Sequence, residues 1–332
     1  MRKGDKRIMK KILFAFLLSV YATNIFAGYG GYIGEYDNRR YGSIAEPEYN
    51  GVVKLSRAGI VKGTGVFVSK NIILTNSHCV QSCQNSCTAE FWNGSGYETA
   101  NLKLFLYNKD SSVLAGTDWG LLLSDKESNF YKPIAPISTN GRVNRGGYGM
   151  LRIIEDSEIP FLKELYAQTM AEFKDECEKT PSTIECINKR VDEKLKEMGK
   201  KQLFGDRDNF KVQSCNILGT HPQSNKMLKT DCDSSGGDSG APLLRNGTIV
   251  GLNNGGLREV FGPDKANACA LKTENFYTYV QYAITQQDKA EQFSISKYMD
   301  DKDKEILGPI KPDSTDEESE TIQQMLQSFD CD

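Results

Sequence analysis

The sequence predicts an all-β fold, a barrel or a sandwich, that carries one helical insertion. Two observations lead there. From Tyr49 to Leu271 most of the chain falls into short apolar segments punctuated by turn residues, among them Gly51-Val52-Val53-Lys54-Leu55, Val66-Phe67-Val68, Asn71-Ile72-Ile73-Leu74 and Thr248-Ile249-Val250-Gly251-Leu252. Many short strands separated by Gly and Asn turns are the pattern of barrels and sandwiches. From about Ser157 to Met198 the apolar period becomes helical, through Leu162, Leu165, Tyr166, Met170 and Phe173, then Ile184, Ile187, Val191, Leu195 and Met198. This spacing predicts a helical hairpin over 157–200, broken at Thr180-Pro181 and restarted by the capping box Ser182-Thr183-Ile184-Glu185.

Taken in order, the chain opens with Arg2, Lys3, Lys6, Arg7, Lys10 and Lys11, an apolar run from Ile12 to Val20, and small residues ending at Ala22 or Ala27. That layout is a secretory signal peptide over 1–27, and the run is shorter than the roughly 20 residues that cross a bilayer. No membrane contact is expected after its removal. Residues 28–48 read as an N-terminal activation segment, 49–288 as the main domain, and 289–332 as a polar tail. Asp313, Asp316, Glu317, Glu318 and Glu320 make the tail too acidic to bury a core of its own. A net charge of -3 over 332 residues argues against a dedicated nucleic-acid binder.

Nine cysteines in an exported chain point to disulfides with one thiol left over. Cys177 with Cys186 would staple the two helices, and Cys215 with Cys232 would tie the segment before Ser239 to the preceding strand. Cys79, Cys83 and Cys87 are expected to share one local bridge, leaving a partner for Cys269 or Cys331. No histidine besides His78 lies near them to complete a zinc site, so no metal is expected.

Three segments carry chemistry. Asn71 to Val80 places His78, one of two histidines, directly after an apolar run; Thr117-Asp118-Trp119-Gly120 leads a carboxylate into another strand; Ser234 to Leu243 sets Ser239 in a glycine-rich turn. A serine hydroxyl becomes a useful nucleophile when an imidazole takes its proton, and a buried carboxylate fixes that imidazole's tautomer and stabilises its cation. Ser239, His78 and Asp118 suit those roles. Glycines before the serine let Gly237 and Ser239 turn their N–H groups outward as an oxyanion hole, and no cofactor is needed. Asp110 and Asp125 are rivals to Asp118 but sit among polar neighbours, and His221 reads as exposed loop. Ala241 stands where an α/β-hydrolase elbow needs glycine.

The order histidine, aspartate, serine, with Gly-Asp-Ser-Gly and Ser-His-Cys around two of them, resembles the chymotrypsin-like serine peptidases. Asn38-Arg39-Arg40, Gly63-Thr64-Gly65-Val66, Leu74-Thr75-Asn76, Val250 to Gly256 and Asn267-Ala268 look most like the secreted bacterial branch with the glutamyl endopeptidases. The resemblance spans about Arg39 to Ile284. It implies two six-stranded barrels with the site between them, a closing helix over Glu274 to Ile284 packed on the second barrel, and protein or peptide substrates. The hairpin departs from the family pattern.

By the same resemblance Asp233, six residues before Ser239, would lie at the base of the primary pocket and favour Arg or Lys. Ser234 would line that pocket, and Asn254, Gly255 and Gly256 would hold the substrate backbone. Alternatively Asp233 turns away and Ser234 serves another residue. Asn253 stands where glutamyl endopeptidases place a histidine. Asp238 would pair with an ammonium freed by cleavage after Arg40, although Tyr41 is not the usual new terminus. The expected function is a secreted serine endopeptidase, with a catalytically silent binding protein or an esterase as alternatives.

Overall fold

A computed structural model describes residues 31–32, 37–83, 86–107, 115–180, 183–222, 224–255 and 268–286. The expected signal segment 1–27 and tail 289–332, together with Asp110, Ser182 and Gly256, lie outside these described residues. Two short strands come first, β1 (Gly31–Tyr32) and β2 (Arg40–Tyr41). The next six are β3 (Val52–Arg57), β4 (Ile60–Phe67), β5 (Ile72–Thr75), β6 (Cys87–Trp92), β7 (Tyr97–Tyr107) and β8 (Gly120–Ser124). They close into an antiparallel barrel in the order β3-β4-β5-β8-β7-β6. In β6 the period is two: Cys87, Ala89 and Phe91 are buried while Thr88, Glu90 and Trp92 are half-buried. One face of the strand thus fills the barrel, where Phe67 meets Phe91 edge to face at 5.1 Å.

The second barrel is built from β9 (Gly141–Gly147), β10 (Lys211–His221), β11 (Ser224–Thr230), β13 (Pro242–Arg245), β14 (Thr248–Gly255) and β15 (Ala268–Leu271), with β12 (Ser234–Ser235) between β11 and β13. The strand order β11-β15-β14-β13-β9-β10 closes through β10 on β11, and β2 adds to the start of β10. These two closed six-stranded antiparallel barrels are the chymotrypsin-like fold. One apolar cluster joins them, with Val52, Val66, Ile72, Leu74 and Leu121 from the first meeting Val212, Met227, Leu244, Leu252 and Leu271 from the second.

Helices fill three places. α1 (Ser77–Cys83) follows β5; α2 (Ile159–Cys177) and α3 (Thr183–Glu197) form the expected hairpin between β9 and β10; α4 (Tyr277–Gln286) closes the described chain after a 3-10 turn over Thr273–Asn275. Pro160 sits in the first turn of α2, where its missing N–H costs nothing. The hairpin buries a cluster of its own, Leu162, Leu165, Tyr166, Ile187, Val191 and Leu195, against Met150, Leu151, Ile154 and Leu203 at its base. Met198, expected on that face, is exposed because α3 ends at Glu197. α4 also reaches the first barrel, since Tyr279 stacks on Trp119 at 5.5 Å.

Cys177–Cys186, Cys215–Cys232 and Cys83–Cys87 are bonded, Cys269 is also disulfide-bonded, and Cys79 is a buried free thiol. His221 differs from the expectation of an exposed loop: it is the last residue of β10, pairs with Ser224 of β11 and is buried. The Thr-His-Pro stretch hid a strand end, which pairs across a register shift between Thr220 and His221. No helix among the described residues is long and apolar enough to cross a membrane.

Candidate active site

The register of β5 on β8 pairs Thr75 with Gly120. In an antiparallel pair, residues just after Thr75 and just before Gly120 leave the barrel at the same rim, so the fold itself brings the His78 and Asp118 loops together. His78 lies in the first turn of α1 rather than at the end of β5. Its Nδ1 is 2.7 Å from Asp118 Oδ2, and its backbone N–H donates to Asp118 Oδ1 at 3.0 Å. The Asn76 side chain donates to the Asp118 carbonyl at 2.9 Å, holding the loop from the other side.

Burial alone would lower the His78 imidazole, but the Asp118 carboxylate, with Cys79 adding to it, holds the ring well above its ordinary 6.5. Burial pushes the Asp118 carboxyl up; His78 outweighs this and, with the Asn254 amide close by but outside hydrogen-bond geometry, holds it below its ordinary value. Asp118 is 3% exposed in its side chain whereas His78 is 46% exposed, so the ring is anchored on one edge and open on the other. Asp125, the rival carboxylate, instead accepts from Asn101 at the surface.

Ser239 comes from the second barrel, in the turn between β12 and β13. Its carbonyl accepts from the Thr64 N–H at 2.8 Å and lies 3.9 Å from Cys79 Sγ, the residue after His78. Gly63 makes that approach possible: a Cβ there would stand 2.6 Å from Cys79 Sγ and 3.1 Å from the Ser239 carbonyl. Gly237 has φ +102, in the region that favours glycine, and a Cβ on it would run into the Tyr148 carbonyl. Its own carbonyl is turned inward to the Thr64 hydroxyl at 2.8 Å, and the preceding Gly236 carbonyl accepts from Met150 N–H at 2.8 Å. Across the trans peptide the Gly237 N–H points opposite to the tied Gly236 carbonyl, while the Asp238 N–H donates to the Ser235 carbonyl at 2.9 Å.

Asp238 points away from that side into the protein. Its carboxylate accepts from the Ser235 N–H at 2.8 Å and meets Arg145 at 3.2 Å, both side chains 1% exposed. In this uncleaved chain an internal guanidinium stands against the carboxylate that the sequence pairs with an ammonium freed by cleavage after Arg40. The Arg40–Tyr41 bond is also part of the fold: Arg40 and Tyr41 pair with Val212 and Lys211, and the preceding Arg39 is buried on Asp37 at 2.8 Å.

Asp233 is fully buried, its Oδ2 accepting from the Asn38 N–H at 3.0 Å, so its carboxylate faces the N-terminal segment. Ser234 is buried and pairs with Tyr32 of β1, and its hydroxyl accepts from the Asn253 amide at 3.3 Å. That amide also donates to the Asp238 carbonyl at 3.0 Å. Asn254 is buried and Gly255 ends β14 on the neighbouring wall. The roles of Arg145 and Thr64 were not read from the sequence, where no local signal separates Arg145 from the nearby Arg142.

No protein-family model and no curated protein matches the chain. Among solved structures it is similar to mouse neuropsin, a serine protease expressed in the limbic system of the brain, at 13% identity and a TM-score of 0.51, covering 74% of this chain and 98% of that one. Human heparin binding protein aligns at 13% identity and 0.48, covering 74% and 96%, and a Glu endopeptidase solved with MPD at 18% and 0.47, covering 75% and 98%. At such identities the likeness is one of fold.

Proposed function

We propose that this chain, which has the chymotrypsin-like fold, is a secreted serine endopeptidase with Ser239 as nucleophile, His78 as general base and Asp118 as its orienting carboxylate. The observation that carries the reading is the 2.7 Å contact of His78 Nδ1 with a buried Asp118, on a rim against which the Ser239 turn is packed. Nδ1 held by a carboxylate leaves Nε2 to accept a proton. In the proposed reaction the Ser239 hydroxyl attacks the scissile carbonyl as its proton passes to His78. The tetrahedral oxyanion is bound by the N–H groups of Gly237 and Ser239, and His78 then gives the proton to the leaving amine. Water repeats the sequence on the acyl-enzyme. An extended peptide would add as a strand along Asn254 and Gly255.

Export fits the basic and apolar start of the chain and its disulfides. A preference for Arg or Lys before the scissile bond rests on Asp233, and requires its carboxylate to turn from the Asn38 amide toward the substrate. The test is hydrolysis of a peptide panel differing only at that residue, with Ser239→Ala beside the wild type. Cleavage lost in the variant supports the reading, and its position on the panel decides whether Asp233 sets the preference. Absence of hydrolysis by wild type, together with failure of a serine-directed phosphonate to label Ser239, would leave a binding protein on a peptidase fold.

A further inference from the structure

We propose that the helical hairpin seats the Ser239 turn, with Met150 and Leu151 as the positioning residues that carry its packing to the Gly237 N–H. This rests on the reading of Ser239 as nucleophile and asks what fixes the turn from behind. The hairpin leaves and rejoins the second barrel between β9 and β10, and Met150 and Leu151 stand between the end of β9 and the start of α2. Their two sides serve different partners. Their side chains, 5% and 0% exposed, belong to the apolar cluster of Leu162, Ile187, Val191 and Leu195. Their backbone N–H groups face the turn: Met150 donates to the Gly236 carbonyl at 2.8 Å, and Leu151 to the Ser235 hydroxyl at 3.4 Å.

The bond to Gly236 matters most. A trans peptide points its N–H opposite to its carbonyl, so the Met150 N–H that holds the Gly236 carbonyl also sets where the Gly237 N–H points. Neither glycine has a Cβ, so little in the chain itself resists rotation of that peptide. The turn also lies directly on this segment: a Cβ at Gly237 would run into the Tyr148 carbonyl, and one at Gly149 would strike Ser235 Oγ. From the other edge the exit of the hairpin closes on the same residues. The Arg152 N–H donates to the Leu203 carbonyl at 3.1 Å, the Asp206 N–H donates to the Met150 carbonyl at 2.9 Å, and Leu203 is fully buried in the hairpin cluster. Residues 148–152 are thus a strap with the hairpin on one edge and the turn on the other.

Other groups hold the strap without seating its side chains. Arg39 donates to the Leu151 and Arg152 carbonyls, and Lys211 to the Gly149 carbonyl. These bonds fix carbonyls and leave the Met150 and Leu151 side chains dependent on what the hairpin packs against them. Loss of apolar volume in α3 leaves a cavity that the surroundings fill only in part. A strap that drifts toward it carries the Met150 N–H away from Gly236. The core of α2 and α3 is therefore linked to kcat by packing, at residues that the proposed reaction does not use.

The experiment compares wild type with Leu151→Ala, Leu151→Met, Leu195→Ala and Phe91→Leu, the last a core truncation in the first barrel that controls for general loosening. It reads kcat and KM on a peptide that wild type cleaves, well below the unfolding temperature of each protein, and amide exchange of residues 148–152 and 233–242. Leu195→Ala should lower kcat about 10-fold, as when a tenth of the turns remain seated, with KM little changed and faster exchange in both segments. Leu151→Ala should lose more, toward the about 10²- to 10³-fold of a missing oxyanion donor. Leu151→Met conserves volume and should keep most of kcat, and Phe91→Leu should lose stability and keep kcat. Wild-type kcat and wild-type exchange of 233–242 in a folded Leu195→Ala would overturn the proposal, as would an equal loss of kcat in Phe91→Leu. If Leu195→Ala does not fold, Leu195→Val decides by the same readings. If wild type turns over no substrate the peptidase reading fails alone, and exchange of 233–242 in Leu195→Ala still tests the seating.

Discussion

At the scale of single residues, Asp118 and Gly237 make the sharpest demands. Neutral His78 is the form that accepts a proton, and Asp118 holds the ring well above 6.5. Activity should therefore fall as pH drops through a midpoint above 6.5. Asp118→Asn removes the charge that raises the ring while leaving the burial that lowers it, so the acid limb of kcat/KM should move down, and the lost tautomer control should reduce kcat about 10⁴-fold. A pH profile of both proteins checks this; an acid limb that stays put would show that another group governs it. Gly237→Ala forces a side chain into a φ of +102 and against the Tyr148 carbonyl. The turn must shift, and kcat should fall by about 10²- to 10³-fold with the protein still folded by circular dichroism. The closeness of His78 and Asp118 was legible, and Ser239 stood out as a candidate, because each sits in a short run with a chemical reason. Arg145 was not, since nothing local distinguishes a buried strand arginine from an exposed one, and Asp233 was placed by offset alone, which says nothing of where a carboxylate points.

At the scale of elements, the hairpin was readable from its period, yet what fastens its exit was not. Asp192 of α3 accepts the Leu203 N–H at 2.6 Å and the Phe204 N–H at 3.2 Å, tying the segment after the helix back onto it. Burial pushes the Asp192 carboxyl up, while these two N–H bonds oppose the shift. Asp192→Ala strands two donors and should cost about 1 to 3 kcal/mol. Asp192→Asn keeps an acceptor and sheds the buried charge, so it should hold wild-type stability at pH 7. Urea unfolding of the three proteins gives the comparison, and equal losses in both variants would mean that the charge itself matters. Cys177–Cys186 closes the hairpin at its tip over a separation of 9 residues. Replacing both by serine should lower stability by about 2 to 3 kcal/mol, the entropy of a short closed loop. Strand existence followed from short apolar segments set between turn residues, whereas the end of β10 at His221 did not, because a Pro two residues from Ser224 reads locally as loop even where pairing continues to the turn.

At the scale of the whole molecule, the candidate site exists only because two barrels are held edge to edge, His78 and Asp118 on one and Ser239 on the other. Repeated short strands announce barrels but not how two of them dock, and that docking is set by the shared apolar cluster and by α4. Phe276 is fully buried in that cluster, 6.3 Å from the Trp119 ring, and Trp119 follows Asp118 directly. Phe276→Ala removes a large side chain from where the C-terminal element meets the first barrel, and should cost about 3 to 5 kcal/mol. The loss should register at the site, because Trp119 is packed between Phe276 and Tyr279 and the Asp118 loop is attached to it. Tryptophan fluorescence and peptide hydrolysis should then disappear at one lowered temperature. If fluorescence were lost well before far-ultraviolet ellipticity, α4 would be detaching on its own, and the two barrels would keep their fold without it.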